Sequence, residues 1–370
     1  MAPSIESIRL LLKVINIAFV KISELINQQL FSENSGYYKT KNPIGKSADF
    51  ITAPEISQIF GEVVASYLLE ISKSTTSKIS LVEMGAGRGI WFRDILKTIN
   101  FLAQKKISIA QKFIEKSTFH IIEINPHLKA IQQQNLGDYK VFWHDNFENF
   151  KSASELDLGG EIYFLSNELL DCFAIDQFVK TKDGWQERLI NFSDKQNLSE
   201  PQFVIRNTDK LIHTFVESQL GKDLSESAPF GAIYEYSKSA QTFISKLFEA
   251  INHRGGLAIN IDYGYFSYDF ANTLQTVRNH QKIPFFEGLK NADITALVDF
   301  VAVDKIAKAH NLNSSLISQN QFLLELGAKE RLENLAQLNP AKNDELRSAF
   351  HRLVDPEQMG DLFKVHIAWR

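Results

Sequence analysis

The chain has 370 residues, 40 basic and 44 acidic side chains, a net charge of −4 and 44% apolar residues. Those values exclude a disordered or fibrous chain, and a weakly acidic balance argues against a partner made of phosphate backbone. One cysteine, Cys172, excludes an internal disulfide framework and any multi-cysteine zinc site.

Residues 5–31 carry apolar side chains at helical spacing, from Ile5 and Ile8 to Ile26 and Leu30. No apolar run reaches the roughly 18 residues of a membrane span. The best candidate, Leu10 to Val20, is interrupted by Lys13 and Asn16. It also lacks a secretory cleavage pattern, and Glu6 and Glu24 argue against a mitochondrial presequence. A cytoplasmic protein of bacterial type is expected, with the mitochondrial matrix as the alternative. Asn34 to Phe50 reads as an irregular loop. Thr52-Ala53-Pro54-Glu55 has the form of a capping box, predicting a helix that runs to about Glu70.

Strands and helices then alternate. Apolar runs at Ile79–Met84, Phe119–Ile124, Tyr139–Trp143 and Ile162–Ser166 predict strands. A helix is expected between the first two, to about Glu115, and Pro126 opens another. Asp183-Gly184 marks a hairpin between Gln177–Lys180 and Gln186–Ile190. Gly256–Tyr263 is a buried strand after a helix at about 237–252. Residues 293–309 and 321–338 look helical, and Phe363–Trp369 alternates like a closing strand. The alternation indicates an α/β core of mostly parallel strands, with extensions at both ends.

The strongest local signal is Glu83-Met84-Gly85-Ala86-Gly87-Arg88-Gly89, which follows a strand and opens a helix. Glycines there let a ligand approach the backbone, and the helix start offers free amides. A dinucleotide turn wants a glycine where Ile90 stands, which disfavours an NAD-type oxidoreductase. The spacing found, with an acid two residues before the first glycine, suits S-adenosylmethionine, whose ammonium and sulfonium are cationic. Glu123, ending the next strand, is placed to take the ribose hydroxyls. Asp145 and Asn146 end the third strand, where either they meet an adenine amino group or they serve as common turn residues. The fourth strand ends in Asn167-Glu168-Leu169-Leu170-Asp171. Glu168 and Asp171 are three apart, hence neighbours if helical, and a carboxylate pair suits a guanidinium fork. Asp262 ends a later strand on the same edge, where it either lines the pocket or pairs with a backbone turn. His120, His253 and His280 lie near the site's edges, but no spacing resembles a metal ligand set. Cys172 has no histidine placed to act as its base.

These residues identify a resemblance to the MidA-like methyltransferases. It runs from about Gly36 to Lys364 through Gly36-Tyr37-Tyr38, Asp49-Phe50-Ile51-Thr52-Ala53-Pro54-Glu55, Glu83–Gly89, Asn167–Asp171 and Ile261-Asp262-Tyr263-Gly264. Thr273-Leu274-Gln275 with Arg278 and His280, Val298-Asp299-Phe300 and Pro356–Lys364 complete it. The resemblance implies a Rossmann-like class I S-adenosylmethionine-dependent methyltransferase core with a seven-stranded, mostly parallel sheet and helical N- and C-terminal extensions. It implies a helical extension and pocket lid over 1–75, a cofactor-binding core with an inserted hairpin over 76–265, and an extension over 266–370 completing the sheet and substrate site. Cofactor roles are implied for Glu83, Gly85, Ala86, Gly87 and Glu123. Substrate roles fall on Asn167, Glu168 and Asp171, and lid or pocket roles on Thr52, Pro54, Glu55 and Asp262. In the family's mitochondrial member the implied reaction is symmetric arginine dimethylation of a respiratory complex I core subunit during assembly. A protein substrate is therefore expected, with no nucleic acid, metal or membrane insertion, and a dimer is compatible. A SAM-binding assembly chaperone, or methylation of another residue or a small molecule, are the alternatives. The chain departs from the family at Ala86 (usually Pro), at Cys172-Phe173-Ala174 (usually Ala-Leu-Pro) and at Asn272 (usually Asp).

Overall fold

The computed structural model describes residues 19–32, 36–40, 52–156, 160–192, 201–206, 210–278, 281–289 and 292–370. The expectations for Ile5 to Ala18, for most of the loop to Phe50, and for Asp49, Phe50, Ile51 and His280 lie outside the described residues. The chain divides into two units, each gathered from three separate segments.

The larger unit comprises Asn42–Leu169, Phe243–Tyr265 and Phe300–Arg370. It opens with a short helix, Ala53–Ile56. The expected continuous helix to Glu70 is broken at Ser57, which is extended at φ −152°, ψ 135°. The Ser57 hydroxyl accepts from the Ile59 amide and starts a second helix, α1 (Gln58–Ile71). Then follow β1 (Ile79–Met84), α2 (Ile90–Gln104), β2 (Ser117–Ile122), α3 (Pro126–Asn135), β3 (Val141–His144) and β4 (Glu161–Asn167). After them come α4 (Lys238–Arg254), β5 (Gly256–Tyr265), α5 (Phe300–Ala309), β6 (Asn313–Ser318) and β7 (Phe363–Trp369). The helix expected through Glu115 is two: the chain turns at Lys106, φ 63°, and restarts at Ser108–Lys116.

These seven strands lie in the order β3-β2-β1-β4-β5-β7-β6. The pairs β3–β2, β2–β1, β1–β4 and β4–β5 are parallel, and β7 runs antiparallel to β5 and β6. The mostly parallel sheet is therefore present, with the expected seven strands along its path and an eighth, short strand off it. Near-continuous apolar runs such as Leu81, Val82, Phe164, Leu165, Ile259 and Ile261 are buried, as a sheet covered on both faces demands. Phe60, Trp91, Phe92 and Ile95 pack into the same core. Register sets the site: Glu83 pairs with Leu165 and Ile121, and Asn167 with Ile261, so the carboxyl ends of β1, β2, β4 and β5 share one edge.

The smaller unit comprises Met1–Lys41, Leu170–Thr242 and Phe266–Asp299. Its hairpin, Asp176–Thr181 and Gly184–Asn191, turns at Gly184 as expected and pairs further with Phe19–Lys21, Gln202–Ile205 and Ile233–Tyr236. Residues 293–295, expected to be helical, form a strand against Gln275–Arg278, and the helix begins at Phe300. In the larger unit the helix expected over 321–338 is likewise divided, at Gly327 with φ +81°. Asn272, standing where an acid is usual, has a partner: Gln177 Nε2 donates to its Oδ1 at 2.7 Å and to Glu235 Oε1 at 2.7 Å. Glu235 also accepts from the Thr273 and Leu274 amides, so the Asn272–Leu274 turn is fixed without a second carboxylate. Among the described residues no helix is long and apolar enough to cross a membrane, and no metal-binding cluster occurs.

Candidate functional site

At the carboxyl edge of the large sheet a cleft of about 380 Å³, its mouth included, is lined by Thr52, Pro54, Glu55, Glu83, Gly85–Arg88, Ile90, Trp91, Asn167 and Glu168. The glycine turn forms its floor. Gly85 has φ +69°, which an L side chain rarely adopts, and a β-carbon there would lie 3.0 Å from Leu169 Cδ1. The sequence suggests that a side chain at Gly85 would collide with ligand; the nearest atoms are the protein's own. Gly89, at φ +75°, starts α2.

Glu83 is buried at the end of β1. Burial and the neighbouring Glu123 carboxylate push its pKa from about 4.5 up to about 8, against the Phe92 amide in the first turn of α2. Its Oε2 is buried without a hydrogen-bond partner among the described residues, and so is Asn167 Oδ1. Asn167 Oδ1 is an acceptor awaiting a donor, and so is Glu83 Oε2 once its carboxyl ionises. A ligand carrying an ammonium would satisfy Glu83, so the residues present fit S-adenosylmethionine.

Glu123 is buried just beyond β2, and burial raises its pKa. Its Oε1 accepts from the Asn125 amide at 2.8 Å, and its Oε2 from Gln132 Nε2 at 2.9 Å. Gln132, a residue the sequence reading passed over, is fully buried and joins three parts of the site. Its Nε2 also donates to the Gly87 carbonyl at 2.8 Å, and its Oε1 accepts from Trp143 Nε1 at 3.1 Å. The available signal was a polar side chain between Leu128 and Leu136, in the apolar stripe of α3.

Asp145 and Asn146 do not line the cleft. The Asp145 side chain is 73% exposed and meets Lys129 at 3.5 Å. Asn146 Oδ1 accepts from the Asn149 amide at the start of helix Phe147–Leu156. Thr52 lines the cleft but makes no capping bond. In place of the capping box, Glu55 accepts from Arg88 Nη1 at 3.4 Å, tying the lid residues to the glycine turn.

Glu168 is a non-glycine residue at φ 53°. Such a conformation persists only where its surroundings impose it, and it concentrates at functional sites. The Glu168 amide donates to the Ile261 carbonyl at 2.9 Å, and the next amide, Leu169, donates to Asp262 Oδ2 at 3.0 Å. Asn167 Nδ2 donates to Glu168 Oε1 at 3.1 Å, orienting the carboxylate. Asp262 does not line the cleft; fully buried, it also accepts from the Tyr263 amide and acts through the turn it fixes. The helical neighbour relation expected of Glu168 and Asp171 does not form, because Glu168 is left-handed and the 3₁₀ turn starts only at Leu170. Asp171 is buried in the smaller unit, where Cys172 Sγ donates to its Oδ1 at 3.4 Å and to Tyr38 Oη at 3.2 Å. His120 stands apart from the cleft, bonded to His144 at 3.0 Å and Thr118 at 2.8 Å, a packing role.

Residues 63–318, more than half of the chain, match the family described as "Putative S-adenosyl-L-methionine-dependent methyltransferase". The mitochondrial protein arginine methyltransferase NDUFAF7 of Danio rerio is 29% identical over 369 residues, covering 95% of this chain and 84% of the relative. Its Drosophila melanogaster homolog is 28% identical over 383 residues, with 95% and 82% covered. The human protein is 26% identical over 375 residues, with 96% and 81% covered. A crystal structure from Burkholderia thailandensis bound to S-adenosyl-homocysteine covers 99% of this chain and 91% of that one with a TM-score of 0.80. At 22% identity that likeness shows the fold.

Proposed function

The chain belongs to this family of S-adenosylmethionine-dependent methyltransferases, and from that premise we propose that its acceptor is a protein arginine, in a core subunit of respiratory complex I during assembly. The observation that carries the reading is Glu168: its carboxylate accepts from the Asn167 side-chain amide and its backbone is pinned by the Glu168–Ile261 and Leu169–Asp262 bonds, on the wall of the cleft floored by the glycine turn. The names of its relatives, protein arginine methyltransferases of mitochondria, support the acceptor class.

When bound, S-adenosylmethionine supplies an electrophilic methyl group on a sulfonium. Glu83, Gly85, Ala86, Gly87 and Glu123 would hold it. Asp145 and Asn146 stay in the proposal as the adenine edge, and Thr52, Pro54 and Glu55 as the lid. The enzyme's task is then alignment, which supplies roughly 7–11 kcal/mol when two reactants are held in register. A guanidinium is planar and cationic, and the Glu168 carboxylate binds its N–H groups in one plane. That contact keeps one nitrogen facing the cleft and leaves it richer in electrons. The anchored turn keeps the carboxylate from swinging away. The setting belongs to the same proposal: the compartment that holds complex I, a bacterial cytoplasm or the mitochondrial matrix. Symmetric dimethylation is part of it as well.

Incubation with methyl-labelled cofactor and host lysate, followed by mass spectrometry of the labelled protein, tests the reading. Label on an arginine of a complex I subunit is expected; label confined to another residue type would reject the acceptor class. Glu168→Gln should retain cofactor affinity while losing transfer, and full turnover by that variant would remove Glu168 from its role. Asp171→Asn is the companion variant for the second carboxylate expected from the sequence.

A further inference from the structure

Three buried polar atoms without a hydrogen-bond partner among the described residues sit on residues lining the cleft: Glu83 Oε2, Asn167 Oδ1 and Trp91 Nε1. The first two are acceptors. Trp91 is different in kind, because an indole N–H can only donate. Trp91 is 1% exposed and sits at the second position of α2, against the Phe60 ring at a centroid distance of 5.4 Å. A leucine or phenylalanine would fill that apolar volume with no polar atom to satisfy. Burying an N–H without an acceptor is unfavourable, so an unpartnered donor on a cleft-lining residue calls for a partner.

We infer that Trp91 is a further cofactor-anchoring residue, whose Nε1–H donates to the carboxylate of the cofactor's amino-acid end while Glu83 takes the ammonium. The inference rests on the methyltransferase reading of this cleft. Three features of the chain point to the carboxylate. The partner must be an acceptor. It must suit the first turn of a helix, where unpaired amides and the helix dipole favour negative charge. It must lie near Glu83, whose unpartnered oxygen calls for a cation. An α-amino acid zwitterion offers the cation and the anion on one carbon, and the unpartnered donor and acceptor of two cleft-lining residues match both.

The test compares S-adenosylmethionine with its decarboxylated analogue, which keeps the ammonium and sulfonium and lacks the carboxylate. Isothermal calorimetry of the full chain should show Trp91→Phe binding S-adenosylmethionine about 10- to 100-fold more weakly than the parent, as expected for a charge-assisted hydrogen bond. Affinity for the decarboxylated analogue should be unchanged. Equal losses for both ligands would make Trp91 a packing residue only, and no loss for either would remove it from the site; both outcomes overturn the inference. A parent protein that binds neither ligand would fail at the earlier step, the cofactor reading itself. Because Trp91→Phe could disturb the core, the parent is also read directly by NMR of its indole N–H groups. One of the four tryptophan signals should move downfield on addition of S-adenosylmethionine and stay in place with the analogue. Identical shifts with the two ligands would count against the carboxylate contact.

Discussion

Replacing Glu83 with glutamine removes a charge that the unliganded fold disfavours. Burial and Glu123 keep its carboxyl protonated up to about 8, whereas an exposed glutamate ionises near 4.5. Between those values the folded chain holds a proton that the unfolded chain has released. Stability must then fall as pH rises through that window, the reverse of the common carboxylate case. At 1.36 kcal/mol for each pH unit the decline approaches about 5 kcal/mol, a ceiling because local relaxation lowers the cost of burying charge. Glutamine imitates the protonated acid in shape and carries no charge, so its stability should be flat over the same range. Urea denaturation from about pH 5 to about pH 9 measures both slopes. S-adenosylmethionine should stabilise the parent increasingly toward the alkaline end, where the carboxylate gains the ammonium, and should add little to the variant. Parallel slopes for parent and Glu83→Gln would refute the argument, as would equal stabilisation of the two by ligand.

Gly85→Ala should cost about 1–2 kcal/mol from the positive φ alone, with more from the 3.0 Å approach to Leu169 Cδ1; a thermal melt equal to the parent's would contradict this. Gln132→Leu strips partners from Glu123 Oε2, the Gly87 carbonyl and Trp143 Nε1. It should lower stability by about 2–4 kcal/mol and weaken cofactor binding, measured by denaturation and calorimetry. His366, fully buried and 3.6 Å from Asp304, has its pKa lowered by burial against the pull of that carboxylate. The fold therefore favours neutral imidazole, and the stability it contributes should be lost as pH falls below about 6.5. His366→Leu should flatten that acid limb of the melting-temperature profile, and an unchanged limb would assign it to other groups.

The central strands were legible because a sheet covered on both faces needs uninterrupted apolar runs, and those of β1, β4 and β5 stand out. Helix ends were less visible. Ser57 interrupts a helix by going extended and capping the next, while the apolar periodicity runs on through Ile56, Ile59 and Phe60. Lys106 turns with positive φ and no glycine to announce it. The strand at 293–295 reads as helix start until its neighbour at 275–278 is in place. The glycine turn, Glu83 and Glu168 all line the cleft, and they stood out in the sequence because each belongs to a short local motif. Gln132, whose contacts to Glu123 and Gly87 come from the tertiary fold, and Trp91, whose place on the cleft does, did not stand out. The sequence leaves Asp262 between lining the pocket and pairing with a backbone turn, and the fold gives it backbone amides, one of them 93 residues away.

The interleaving of β7 between β5 and β6 has a bearing on how the molecule is made. Strand 363–369 is the last of the seven to leave the ribosome, yet it belongs inside the sheet. Until it arrives, the facing sides of β5 and β6 present rows of unanswered amides and carbonyls, which invite pairing with another nascent chain. Premature termination before Phe363 would leave that gap permanently open. Such fragments should precipitate or be degraded rather than survive as a smaller working enzyme.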